Sequence, residues 1–224
     1  NNHTTTYFYD IYGNRTKMVD ANDNVTEYEY EVRTLPPYDL LKRITYPNGS
    51  ITEYQYDVNG NRIQEIRDVG GLNLRTYWSY YVSGAPESGN PSGLKGLLKT
   101  QTVHNGAIPQ ITQYEYDEFG NQNKVTDPEG HVTRYVYDKL GNRLKMIDGN
   151  GHEWTYAYDQ LDRLIQETDP LGYVTAYDYD GVGNRIELRK QATKTPDTFQ
   201  ITRYEYDLRN RLIKETRDPG GLNL

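Results

Sequence analysis

Val132-Thr133-Arg134-Tyr135-Val136-Tyr137-Asp138-Lys139-Leu140-Gly141-Asn142-Arg143 is the stretch whose reading decides the fold. Its first half alternates with period two and is rich in β formers. That places Thr133, Tyr135 and Tyr137 on one face of a strand and Val132, Arg134 and Val136 on the other. Its second half is turn chemistry, because Gly and Asn reach positive φ cheaply and the Asp138 carboxylate can accept bonds from the backbone of a tight turn. Residues Arg143 to Ile147 then read as the returning strand.

The pattern Thr-x-Tyr-x-Tyr-Asp recurs along the whole chain. Its second tyrosine falls at Tyr9, Tyr30, Tyr56, Tyr80, Tyr116, Tyr137, Tyr158, Tyr179 and Tyr206, with spacings of 21, 26, 24, 36, 21, 21, 21 and 27. The acid follows as Asp10, Asp57, Asp117, Asp138, Asp159, Asp180 and Asp207, whereas Glu31 and Tyr81 occupy the place in the other two copies. Trp78 replaces the first tyrosine once and Trp154 replaces the threonine once. A second turn, Asp-x-x-Gly, interleaves at Asp68–Gly71, Asp127–Gly130, Asp148–Gly151, Asp169–Gly172 and Asp218–Gly221, while Asp20-Ala21-Asn22-Asp23 lacks the glycine.

A unit of about 21 residues, made of two antiparallel strands and two turns, therefore predicts about nine units over 1–224. The expected fold is all-β, a repetitive antiparallel hairpin meander in one continuous array. Twist accumulates between strands, and open sheets beyond about ten strands curl, so the strip should curve or spiral. One repeat has no core of its own and must gain stability from its neighbours. Inserted loops are expected near 34–38, 83–93 and 192–198, where the repeat resumes on each side. Ile51–Leu74 is echoed by Ile201–Leu224, which points to a 150-residue super-repeat.

Composition sets limits on function. The net charge of −7 and scattered Lys and Arg argue against nucleic acid, and no apolar run suits membrane insertion. Without cysteine there is no disulfide, thiolate zinc site or thiol nucleophile. The 23 tyrosines supply strand propensity and apolar area to an otherwise hydrophilic chain. The chain opens at Asn1 with neither an initiator methionine nor a signal peptide, which reads as an excised or processed piece.

The units Tyr137-Asp138-Lys139-Leu140-Gly141-Asn142-Arg143, with intervening turns such as Asp127-Pro128-Glu129-Gly130, resemble the YD-repeat or RHS-repeat family. The resemblance covers nearly the whole chain. It implies a β-sheet strip that spirals into a hollow shell, as in bacterial polymorphic toxins, insecticidal toxin-complex cocoons and teneurin-like proteins. It also implies a secreted or cell-surface, bacterial parent and a non-catalytic wall that encloses a C-terminal toxin or cargo, or forms an extended fibre. Neighbouring repeats would be its first partners. Asp218-Pro219-Gly220-Gly221-Leu222 matches that family's Asp-Pro-x-Gly-Leu autoprotease stretch, but Asp68-Val69-Gly70-Gly71-Leu72 occupies the same place 150 residues earlier, so both are read as turns.

No catalytic, cofactor or metal residue is assigned. A catalytic acid pair needs unlike environments, and residues repeated in every unit share one. His131 and His152, 21 residues apart, should lie side by side on a rim. The alternative to a wall is a carbohydrate- or protein-binding adhesion module, in which exposed Tyr and Trp rows make the contact. Trp78 and Trp154 are its candidate ligand residues.

Overall fold

The computed structural model describes residues 4–34, 39–67, 73–82, 86, 88–91 and 93–222. The Asp68–Gly71 turn and much of the insertions at 34–38 and 83–93 lie outside them. Every described element is a strand or a turn. The chain divides into two compact units, Asn1–Glu115 and Tyr116–Leu224.

In the first unit, β1 (Thr6–Tyr9), β2 (Arg15–Val19), β3 (Val25–Val32), β4 (Asp39–Thr45), β5 (Ile51–Tyr56), β6 (Arg62–Arg67), β7 (Leu74–Tyr80), β8 (Leu98–His104) and β9 (Gln110–Tyr116, as far as Glu115) follow one another. Each pairs antiparallel with the next. The second unit repeats the design with β10 (Gln122–Thr126), β11 (Val132–Tyr137), β12 (Arg143–Ile147), β13 (Glu153–Tyr158), β14 (Leu164–Thr168), β15 (Val174–Tyr179), β16 (Arg185–Lys194), β17 (Asp197–Tyr206) and β18 (Leu212–Leu222). These too pair antiparallel in chain order. The meander expected from the alternation is the observed fold, and β12 has the bounds read from the sequence.

Turns alternate between two rims. The tyrosine rim carries the Tyr-Asp turns. There the Asp138 N–H donates to Asn142 O at 2.9 Å and the Gly141 N–H to Asp138 O at 3.2 Å, with Gly141 at φ +87°. This is a type I turn followed by a residue in the left-handed region, a common short hairpin closure. Asp162 and Asn210 hold the glycine's place in their copies at φ 58°, conformations that Asp and Asn tolerate. The opposite rim uses the same bonds, as from the Asp148 N–H to His152 O at 3.0 Å. Asp23, at φ 61°, supplies the positive φ where the sequence lacked a glycine.

Two stretches depart from expectation. Residues 192–198 are not a loop: β16 runs to Lys194 and β17 begins at Asp197, leaving Thr195-Pro196 as the turn. Thr193 pairs with Thr198 and Gln191 with Phe199, so β-branched and aromatic residues extend the hairpin. Asp218–Gly221 is not a turn either. The lengthened β17 gives β18 a partner beyond Ile201↔Asp218, and an irregularity before Phe199↔Leu222 accommodates the Pro-Gly-Gly run.

Burial is sparse. Among the described residues Tyr81, Tyr116 and Ile201 are the buried apolar side chains, while Thr26, Thr52, Glu65 and Asn90 are buried polar ones. Tyr137 is half-buried. Each repeat therefore leans on the seams with its neighbours.

Candidate functional site

The seam between repeats is where the repeated residues meet. Between β12 and β13 the backbone ladder covers only Ile147↔Glu153, Met146↔Trp154 and Lys145↔Thr155, all in the half nearest the opposite rim. The seams β2–β3, β4–β5, β10–β11 and β14–β15 have the same extent. Toward the tyrosine rim the neighbours have no ladder between them. Within each hairpin the register also slips beside the second tyrosine, as Val136↔Lys145 is followed by Tyr137↔Arg143, leaving Leu144 as a bulge. Thr16, Lys42, Ile63, Lys99, Ile165, Ile186 and Ile213 are the equivalent extra residues.

Side chains close this open half. The Tyr158 hydroxyl donates to the carbonyl of Arg143, the residue opposite the preceding repeat's Tyr137, at 3.2 Å. Tyr30 reaches Arg15 O (3.1 Å), Tyr56 Leu41 O (2.8 Å), Tyr80 Arg62 O (2.9 Å), Tyr137 Gln122 O (3.1 Å), Tyr179 Leu164 O (2.8 Å) and Tyr206 Arg185 O (3.0 Å). In these seven repeats the second tyrosine is thus a latch onto a carbonyl of the strand before it. Burial raises the phenol pKa of Tyr30, Tyr56, Tyr80 and Tyr137 above the ordinary tyrosine value.

The arginine that opens the returning strand bridges the first tyrosines. The Arg143 guanidinium lies 5.9 Å from the Tyr135 ring centre and 4.5 Å from that of Tyr156 in the next repeat. Arg15 sits likewise over Tyr7 and Tyr28, Arg62 over Tyr54 and Trp78, and Arg185 over Tyr177 and Tyr204. Such contacts are worth about 0.5–1 kcal/mol each at exposed sites. Arg62 also donates to the buried Glu65 at 2.9 Å, and Arg67 pairs with the same carboxylate.

The repeated aspartates hold the turns. One Asp138 oxygen accepts from the Leu140 and Asn142 N–H groups, both at 2.9 Å, and the other from the Asn142 side chain at 3.0 Å. Asp10, Asp57, Asp117 and Asp180 repeat this with Asn14, Asn61, Asn121 and Asn184. In Asp159 and Asp207 the side-chain donor is Arg163 or Arg211. Adjacent turns are tied as well, by Asn142 Nδ2 to Asp162 Oδ1 at 2.8 Å and Arg163 to Asp180 O at 3.0 Å. Desolvation pushes the Asp138 pKa up, but bonds from the Asn142 side chain and the backbone N–H groups of Asn142, Leu140 and Gly141 outweigh it and hold the carboxyl below its ordinary range. At Asp180 the Asn184 side chain is the leading cause of the lowering, and at Asp159 it is the Arg163 N–H.

The two departures are now explained. Glu31 stands in a strand, paired with Leu40, so no tight turn forms there. Tyr81 is buried at 2% exposure, with its hydroxyl 3.1 Å from Tyr114 O and its N–H bonded to Leu97 O at 2.9 Å. On the opposite rim His131 and His152 cap their own turns, with Nδ1 2.9 Å from Asp127 and Asp148 respectively. Those turns pack closely, as a Cβ on Gly149 would stand 2.7 Å from that of His131. Asp127, Glu129 and His131 bring ligand atoms within 4.8 Å of one another on this exposed turn. Trp78 is covered on one face by Arg62 at 4.6 Å, and Trp154 meets His152 edge-on at 6.5 Å. A groove of about 780 Å³ in the first unit is lined by Asp20, Asn24, Tyr46, Asn48, Tyr54 and Arg67, among others.

Repeated strands and turns of one chemistry, seven of them latched through tyrosines, define a class of protein. The RHS Repeat family profile matches residues 37–72, 95–132, 124–153, 137–172 and 158–195, more than half of the chain. The chain belongs to the RHS-repeat family. It is similar to human teneurin-4, with 31% identity over 118 residues covering 45% of this chain and 4% of that protein, and equally to mouse teneurin-4. Among solved structures, TcdB2-TccC3 without its hypervariable C-terminal region matches with a TM-score of 0.67 at 17% identity, over 96% of this chain and 11% of that one. A Photorhabdus luminescens Tc holotoxin pore matches with a TM-score of 0.65 at 16% identity, over 97% and 12%. At that identity the likeness is one of fold.

Proposed function

We propose that this chain is a non-catalytic wall segment of an RHS-repeat scaffold. Residues 1–224 act as one continuous array in a secreted or cell-surface parent that encloses a C-terminal toxin or cargo. The observation that carries this reading is the sameness of the repeats: each repeated aspartate holds a turn, and seven second tyrosines latch a preceding carbonyl. A site for chemistry would need one copy to differ from the rest. Limited proteolysis of the full-length parent tests it. The segment C-terminal to the repeats should survive until the repeats themselves are unfolded. Cleavage of that segment as fast as of the same segment expressed alone would overturn the enclosing role.

A second reading, a carbohydrate- or protein-binding surface, draws on the groove beside Tyr46, Tyr54 and Arg67, where an exposed ring and polar side chains stand together. Glycan-array binding lost in Tyr46→Ala would favour this reading, with Tyr46 rather than Trp78, one face of which Arg62 covers, as the contact.

A further inference from the structure

Four Asn-Gly pairs stand in this chain: Asn48-Gly49, Asn59-Gly60, Asn105-Gly106 and Asn150-Gly151. Asparagine before glycine is open to attack from within, because the glycine nitrogen can reach the asparagine Cγ and no Cβ shields it. Local structure then decides which pair can react. Three of the four sit in tight turns of the meander, where the glycine N–H is engaged. Gly49 donates to Tyr46 O at 2.9 Å, Gly60 to Asp57 O at 3.1 Å and Gly151 to Asp148 O at 3.0 Å. These glycines are held at φ +80°, +85° and +83°. Their asparagines are tied as well. Asn48 Oδ1 accepts from the Ser50 N–H and hydroxyl, and the backbone N–H groups of Asn59 and Asn150 donate to Asp57 and Asp148, each at 2.9 Å.

Asn105-Gly106 is built differently. It lies in the connection from β8 to β9, where the ladder ends at Val103↔Gln110 and residues 105–109 are exposed. No turn bond closes this connection. Among the described residues neither the Gly106 N–H nor the Asn105 side chain has a hydrogen-bond partner. Gly106 is not held at positive φ, and a Cβ built on it would meet nothing within 4 Å. The nitrogen and carboxamide that the turns immobilise elsewhere are free to approach each other here.

We propose that Asn105 is a self-modification site, which converts to aspartate and isoaspartate in the folded chain while Asn48, Asn59 and Asn150 persist. The Gly106 nitrogen gives its proton to water or hydroxide and attacks Asn105 Cγ. The Cγ–Nδ2 bond breaks, ammonia leaves, and a succinimide ring closes. Water then opens the ring at either carbonyl. Opening at Cγ restores the main chain with an aspartate, whereas opening at the former backbone carbonyl routes the chain through the side chain as isoaspartate. The balance is amide plus water to acid plus ammonia. Either product adds one negative charge to the −7 of the chain. The extra backbone methylene of isoaspartate costs no turn bond at Asn105, whereas at Asn150 it would disrupt the turn that Asp148 holds.

The test is a time course of the whole folded chain in mildly alkaline buffer, digested at acid pH and read by mass spectrometry. Electron-transfer fragmentation tells aspartate from isoaspartate. The Asn105 peptide should gain the mass difference between OH and NH2 at least about tenfold faster than the peptides of Asn48, Asn59 and Asn150. In denaturant that preference should collapse, since all four pairs share the glycine and only the fold separates them. Gly106→Ala should slow conversion at Asn105 and leave circular dichroism unchanged, because the added Cβ enters open space. Conversion at Asn105 no faster than at the three turn pairs, or a preference that survives denaturation, overturns the proposal. A rate at Asn105 unchanged by Gly106→Ala would overturn attack by this nitrogen.

Discussion

The two halves of a single seam are built differently. Toward the opposite rim, β12 and β13 are joined by backbone pairs from Lys145↔Thr155 to Ile147↔Glu153, which any sequence able to form strands could make. Toward the tyrosine rim the ladder stops, and Tyr158, Arg143 and Asn142 span the gap with a phenol, a guanidinium and an amide. The residue types that repeat most strictly along the chain are those that work where the backbone does not. The repeat pattern is therefore a record of side-chain joints, and substitutions should be felt unequally across a seam.

The largest effect is expected where the tight turn is absent and one buried ring replaces it. Tyr81→Ala should cost about 3–5 kcal/mol in denaturant unfolding of the chain, since the ring and its bond to Tyr114 are lost together. At the regular seam, Arg143→Ala should cost about 1–2 kcal/mol by removing two ring contacts. Lys145→Ala, which breaks an exposed ion pair with Glu153 in the laddered half, should stay within about 0.5 kcal/mol. Equal losses from the two would erase the distinction between the halves.

The turns give a smaller, shared effect. Asp138→Asn and Asp180→Asn should each lower the melting temperature by a few degrees and by similar amounts, read by circular dichroism. Their pH dependence has a fixed sign. The folded-state pKa of Asp10, Asp57, Asp138 and Asp180 is depressed, so the unfolded chain binds more protons; the stability they contribute is present above the unfolded value of about 3.9 and is lost as pH falls through the folded one. The raised phenols act in the other direction: their contribution is complete below about pH 10 and is lost as pH rises through the folded pKa. A melting-temperature profile falling on both sides is expected, with Asp138→Asn flattening only the acid limb.

Strands and turns were legible because both have residue-type signals: alternation around Tyr135, and Asp with Gly or Asn at fixed offsets. The aspartate's role followed from its place before a turn. The latch was not legible, because its acceptor is a backbone carbonyl and the bulge beside it falls on residues as unlike as Thr16, Lys42 and Leu144. The arginine bridge could have been suspected, since Arg15, Arg62, Arg143 and Arg185 recur at one position after the turn. Residues 192–198 and 218–221 misled for one reason: Pro and Gly mark turns, yet a long paired neighbour can carry them within a hairpin or a bulged strand.

The central claim, that the hydroxyl of the second tyrosine joins seven of the repeats to the strand before them, is tested by removing that oxygen alone. Equilibrium unfolding of Tyr56→Phe and Tyr158→Phe should show a loss of about 1 kcal/mol each, against no measurable change in Tyr12→Phe, whose ring is exposed in a turn. Losses at Tyr56 and Tyr158 no larger than at Tyr12 would contradict the latch and leave the tyrosine row as packing alone.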